Sequence, residues 1–209
     1  RDEINTALLT FSAPLPDSLY RAVISPAVTD LAGRPLAGEF AWIFGVAPPV
    51  FWVRDADGFW DDPTNWSTGA VPGPDDTVIV SRPAGNFTIT YRQGNVTINS
   101  LTSTEAFVLS GGTLTLNSAS AISNNFTLSN GSLSGSGDLI VSGLMSWTGG
   151  TMSGSGKTFA NGGLDISGPA AKTLNGRTLS NTGTATWTGG TLSGPGVLTN
   201  TGTLNLSGD

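Results

Sequence analysis

The chain has 209 residues and contains neither cysteine nor histidine. Without cysteine nothing staples it covalently, and thiol nucleophiles and thiolate metal sites are excluded. Without histidine it lacks the commonest general base, the commonest transition-metal ligand and the side chain that changes charge near neutral pH. Most hydrolase, redox and zinc mechanisms fall with those two residue types. Charge is scarce too, at 11% of residues against a usual share of about 25%. The net charge of −6 argues against nucleic acid or an anionic membrane as partner. No apolar run is long enough to span a bilayer, so membrane insertion of this segment is not expected.

What fills the sequence instead is Ser, Thr, Asn and Gly, unevenly placed. Residues 1–100 hold 17 of the 24 charged residues, whereas residues 101–209 hold seven of them and 21 of the 29 glycines. Two kinds of structure are therefore joined. The start at Arg1-Asp-Glu and the stop at Asp209, just after Thr203-Leu-Asn-Leu-Ser, read as cuts through a longer polypeptide.

The second half repeats. Trp147-Thr-Gly-Gly-Thr-Met-Ser-Gly-Ser-Gly156 returns forty residues later as Trp187-Thr-Gly-Gly-Thr-Leu-Ser-Gly-Pro-Gly196. Gly131 lies nineteen residues before Gly150, and Gly112 nineteen before Gly131, which makes forty two periods. A unit of about 19–20 residues made of short strands and glycine turns cannot bury its own apolar face; stacked as coils of a solenoid, it can. Strand alternation then sorts the side chains. Leu114, Leu133, Met152, Leu174 and Leu192 form one expected inward column. Leu128, Trp147, Ile166, Trp187 and Leu206 form another. Thr113, Ser132, Thr151, Thr173 and Thr191 line up outside, flanked by Thr115, Ser134, Ser153, Asn175 and Ser193. A disordered Gly/Ser/Thr linker would need no apolar residue at fixed phase; an antiparallel β-sandwich is the other alternative. These repeats resemble those of autotransporter and filamentous-haemagglutinin-like bacterial surface proteins. The resemblance implies a right-handed parallel β-helix over residues 95–209.

Ahead of the repeat, residues 58–80 carry Trp60, Asn65-Trp66-Ser, Gly69, Pro72, Asp76 and Val78-Ile79. This spacing is similar to a Trp-rich motif that precedes β-helical repeats in secreted bacterial proteins. Turn-forming Asp-Pro-Thr-Asn and Val-Pro-Gly-Pro clusters, with the bulk of Trp60 and Trp66, suit a cap over an open solenoid end. Residues 49–94 are accordingly read as cap and lead-in, with the first coil beginning at Val78-Ile79-Val80. Asp55-Ala-Asp57-Gly58 has two readings, a calcium site using Asp55 and Asp57, or a hairpin turn between Phe51-Trp52-Val53 and Phe59-Trp60. The further ligands that a full calcium loop needs are missing, which favours the turn.

Residues 1–48 read as strand, turn, strand: Tyr20-Arg-Ala-Val-Ile-Ser, then Val28 to Gly38, then Phe40-Ala-Trp-Ile-Phe-Gly-Val46. They resemble the second half of the Ig-like domains of bacterial S-layer and adhesin proteins, with Arg34 where those have Asn. A partial Ig-like sandwich is the implied fold.

For catalysis, residues 101–207 offer only Glu105, Asp138, Asp165, Lys157, Lys172 and Arg177. Asp165, Lys172 and Arg177 share a coil and are the one candidate group for a polysaccharide lyase or hydrolase. Scattered solvated charges explain them equally, so no catalytic residue and no cofactor is assigned. The Thr/Ser columns form a flat, uncharged face open to a glycan or cell surface. Ice binding would want Thr-x-Thr on every rung, which Ser132, Ser134, Ser153 and Asn175 interrupt. The expectation is a non-enzymatic stalk or fibre segment of a secreted, adhesin-like bacterial surface protein. Its expected partners are other domains of the same polypeptide, with head-to-tail self-association as a second route to satisfying its ends.

Overall fold

The computed structural model describes residues 11, 15, 18–30, 32–83 and 86–207. Most of the opening of the Ig-like segment, at 1–10, 12–14 and 16–17, lies outside them, as does Asp209. The chain forms two compact units, residues 1–48 and 49–209. In the first, Ser18–Ile24 pairs antiparallel with Phe40–Val46, in register from Ser18 opposite Val46 to Ile24 opposite Phe40. The turn between them is tied by Asp30, whose carboxylate accepts from the amides of Ala32 and Arg34 and pairs with the Arg34 guanidinium.

The second unit is a parallel β-solenoid of about 7 turns, with coils about 19 residues apart. Short strands with every second residue apolar, broken by glycine turns, cannot pair with themselves, so each pairs with its equivalent one coil later. Three parallel sheets result, of six, eight and eight strands among the described residues. We call them the hydroxyl, middle and aromatic sheets. The hydroxyl sheet runs from Asn95–Ile98 through Thr113–Leu116, Ser132–Ser134, Gly150–Ser153 and Lys172–Asn175 to Leu192–Ser193. The middle sheet runs from Val50–Phe51 to Val197–Asn200, and the aromatic sheet from Gly58–Phe59 to Leu204–Leu206.

Side chains stack coil on coil. Leu109, Leu128, Trp147, Ile166, Trp187 and Leu206 are successive register partners on the inner face of the aromatic sheet. Leu128, Trp147 and Ile166 are fully buried, and so are Leu133, Met152 and Leu174 in the hydroxyl sheet. Trp187 is partly buried against the core. Leu206 faces the same way but is 69% exposed, because no coil among the described residues covers it.

Three expectations change. Leu192 pairs with Lys172 instead of Leu174, and Ser193 instead of Thr191 continues the Thr173 column. The cause is the corner between Trp187 and Leu192, two residues longer than its counterpart between Trp147 and Gly150. It shifts the Leu192–Ser193 strand by two residues, which leaves inward residues inward. The winding also starts earlier than residue 78 or 95. Val50 and Phe51 already pair in parallel with Val78 and Ile79, and Gly58 and Phe59 with Ile89 and Thr90. For the same reason residues 53–57 are no hairpin turn. The strands on either side belong to different sheets, so the segment is a solenoid corner, and Trp52 bridges Trp66 instead.

Candidate functional site

Three places were singled out by the sequence, and each is built from side chains that fasten backbone. At the first, Trp60, Asn65 and Trp66 lie buried at the N-terminal end of the solenoid. Trp66 meets Trp52 and Trp60 edge to face at centroid distances of 5.1 and 4.6 Å, and its indole N–H donates to the Trp60 carbonyl at 2.8 Å. Trp60 reaches on to Phe107, two strands along the aromatic sheet. The Asn65 amide donates to the Phe59 carbonyl at 2.9 Å, and Asp62 caps the single helical turn Pro63–Asn65. The spacing around Asn65 is thus the spacing of a folded plug.

At the second, the neighbouring carboxylates are already engaged. Asp55 pairs with Arg82, which holds its carboxyl below the usual range. Asp57 accepts the Thr88 amide at 2.8 Å. Asp61 pairs with Arg92, whose guanidinium lies 3.6 Å over the Phe59 ring, and its carboxyl is lowered by that contact. Among the described residues no group of three or more potential ligands could hold a metal ion. An open depression beside Asp57 is lined by Phe59, Thr88 and Thr90.

At the third, Asp165, Lys172 and Arg177 do not converge. Asp165 faces outward and accepts from the Ser167 hydroxyl at 2.7 Å. Lys172 and Arg177 are fully buried, which overturns the reading of both as solvated charges. The Lys172 ammonium donates to the carbonyls of Gly168 and Ala170 at 3.2 and 3.0 Å, closing the long corner after Ile166. Burial lowers its pKa, against the pull of Asp165. Glu105 is buried as well, accepting from the amides of Arg82 and Phe87 and so holding both ends of that connection to the coil. Asp138 accepts the Lys157 amide at 2.7 Å. Asp165, Lys172 and Arg177 therefore share no reacting position, each being held by a different stretch of chain.

Sequence reasoning missed the burial of Glu105, Lys172 and Arg177. One signal was available: Arg177 stands in a column where Gly137, Gly156 and Gly196 are glycines. It also missed the difference between the outer faces. On the hydroxyl sheet, Thr113, Ser132, Thr151, Thr173 and Ser193 are in line, with Thr115 beside Ser134 and Ser153 beside Asn175. The middle sheet instead presents Phe51, Ile79, Thr102, Ala121, Ile140 and Phe159 in succession. Compared with protein-family models, curated proteins and solved structures, the chain matches none.

Proposed function

We propose that this chain is a non-catalytic structural segment, a stalk or fibre element of a large secreted polypeptide at a bacterial surface. The observation that carries the reading is where the chemistry of the solenoid goes. Its buried charges, Glu105, Lys172 and Arg177, hold loops and corners, and the carboxylates of Asp55, Asp57, Asp61 and Asp138 pair with arginines or accept backbone amides. Such a molecule spends its polar groups on keeping coils in register. The repeat resemblance adds the surface setting and the right-handed winding that parallel crossovers favour, and the separate resemblance of the N-terminal segment adds an Ig-like identity for residues 1–48. Partners on this reading are neighbouring domains of the same polypeptide, with head-to-tail association as a second route.

A glycan or cell-surface binder is the second reading, favoured by the in-line Thr and Ser hydroxyls of the hydroxyl sheet. One experiment separates the two. The purified chain is applied to an array of surface polysaccharides and assayed for their turnover, alongside Thr113→Lys/Thr151→Lys. The stalk reading expects neither binding nor turnover. Binding abolished by the lysines would install the second reading, and turnover would overturn both.

A further inference from the structure

Arg177 is a fully buried cation with no carboxylate within ion-pair distance among the described residues. A lone charge removed from water is costly unless its donors are all met. Here they are. A guanidinium carries five N–H donors in a planar fork, and five acceptors surround this one. Nε donates to the Thr158 hydroxyl at 2.7 Å. Nη1 donates to the carbonyls of Gly135 and Ser153 at 3.3 and 3.4 Å. Nη2 donates to those of Gly137 and Lys157 at 2.8 and 3.1 Å. The acceptors belong to the two coils preceding the arginine's own.

The surroundings are shaped for that group. Lys157 pairs with Thr178 and Thr178 with Val197, which places Arg177 between Gly156 and Gly196 in its column. A Cβ on Gly156 would come within 2.9 Å of Nη1 and 2.2 Å of the Gly137 carbonyl oxygen. Thr158 is fully buried in a column where its register partners are Leu139 and Leu179. A hydroxyl there has no packing rationale, and it is the acceptor Nε requires.

We propose that this corner of the solenoid is a guanidinium-binding cage, filled in cis by Arg177, and that its occupancy sets the register of the three coils that line it. Register needs such a device at this point. The long corner between Ile166 and Lys172 breaks the even repeat, and a slip of two residues keeps every apolar side chain on the inner face. Hydrophobic pattern alone cannot reject that slip. Moving Arg177 by two residues along its strand, roughly 6.6 Å, takes the guanidinium out of reach of all five acceptors. An ammonium, with three donors and no fork, cannot replace it.

The experiment compares Arg177→Ala with the unaltered chain, measuring the melting temperature in low-millimolar guanidinium chloride or sodium chloride. The variant should melt roughly 10 °C lower. Guanidinium should restore several degrees to the variant alone, and sodium should restore nothing. An equal response of both chains, or no response of the variant, overturns the cage. If Arg177→Ala does not fold, two gentler changes decide. Arg177→Lys should melt clearly below the unaltered chain; equal melting removes the guanidinium requirement. Thr158→Val should speed hydrogen exchange at the Arg177 Nε–H at least about tenfold; an Nε–H that already exchanges as fast as that of exposed Arg34 refutes enclosure.

Discussion

Trp147 and Trp187 share a column and differ by how completely the neighbouring coils enclose them. Trp147 is fully buried, yet its indole N–H finds no protein acceptor, whereas the N–H of Trp187 reaches the Gly189 and Gly190 carbonyls. Trp147→Ala should therefore cost about 3–5 kcal/mol through lost burial and the cavity left behind. Trp187→Ala should cost less, about 1–3 kcal/mol. Trp147→Phe should cost far less than the alanine, because it removes a buried donor that was never satisfied. Urea titrations of the three variants check the order. Lys172 supports a pH test. Burial lowers its folded pKa below the unfolded value, so between those two values the unfolded chain binds more protons and stability rises with pH. Lys172→Met should abolish this lysine's share of the rise. It should also be neutral or stabilising near pH 7, since an apolar side chain of similar length replaces a buried charge and the freed carbonyls of the partly exposed corner meet water. A matched pH series of melting temperatures for the two chains checks both the slope and its sign.

At the scale of the strand and its turn, the inner columns were legible because glycines mark the corners and apolar residues fall at fixed phase between them. The Leu128, Trp147, Ile166, Trp187 and Leu206 column is found in register as read. Leu192 was misplaced for the same reason. Pattern fixes which face a residue takes but not a shift of two, and only the length of the corner before Leu192 decides that. Phe51-Trp52-Val53 and Phe59-Trp60 were read as hairpin arms because the strands there, Val50–Phe51 and Gly58–Phe59, have two residues each and carry too little periodicity to show which sheet they join. The buried Arg177 was illegible from its own residue type, which is normally exposed, though the glycines stacked beside it were in view. Those glycines can be tested. Gly156 lacks a positive φ, so its requirement is steric alone. Gly156→Ala should cost roughly 2 kcal/mol or more by forcing coils apart. Gly73→Ala, where a Cβ meets only the Asp76 carboxylate at 3.9 Å, should stay within about 1 kcal/mol. Thermal melts of the pair separate close coil packing from a general aversion to losing glycine.

Across the whole solenoid, each coil pairs its backbone only with its neighbours, so stability is close to a sum of coil and interface terms with distinct ends. The N-terminal end carries a plug. Trp52, Trp60 and Trp66 are all buried there, and Val71 packs against the core beside them. The last described coil has no such cover: Val197, Leu204 and Leu206 are 55%, 45% and 69% exposed. The strands Val197–Asn200 and Leu204–Leu206 pair on one edge only. The Asn181 amide donates to the Asn200 carbonyl at 2.6 Å, a side-chain ladder that joins this coil to the one before it. Local opening should start where interfaces are fewest and burial least. Amide hydrogen exchange should accordingly be fastest at residues 197–206, slower through 178–187, and slowest in the coils between Phe126 and Ile166, with the plugged strands at 88–91 closer to the middle than to the open end. Trp60→Ala should erase that asymmetry by loosening the strands at 58–59 and 88–91 while leaving residues 178–187 unchanged. Uniform protection from Val50 to Leu206, or a loss of protection that spreads through every coil in the variant, would mean that the solenoid unfolds as one cooperative block and that nearest-neighbour stacking does not describe it.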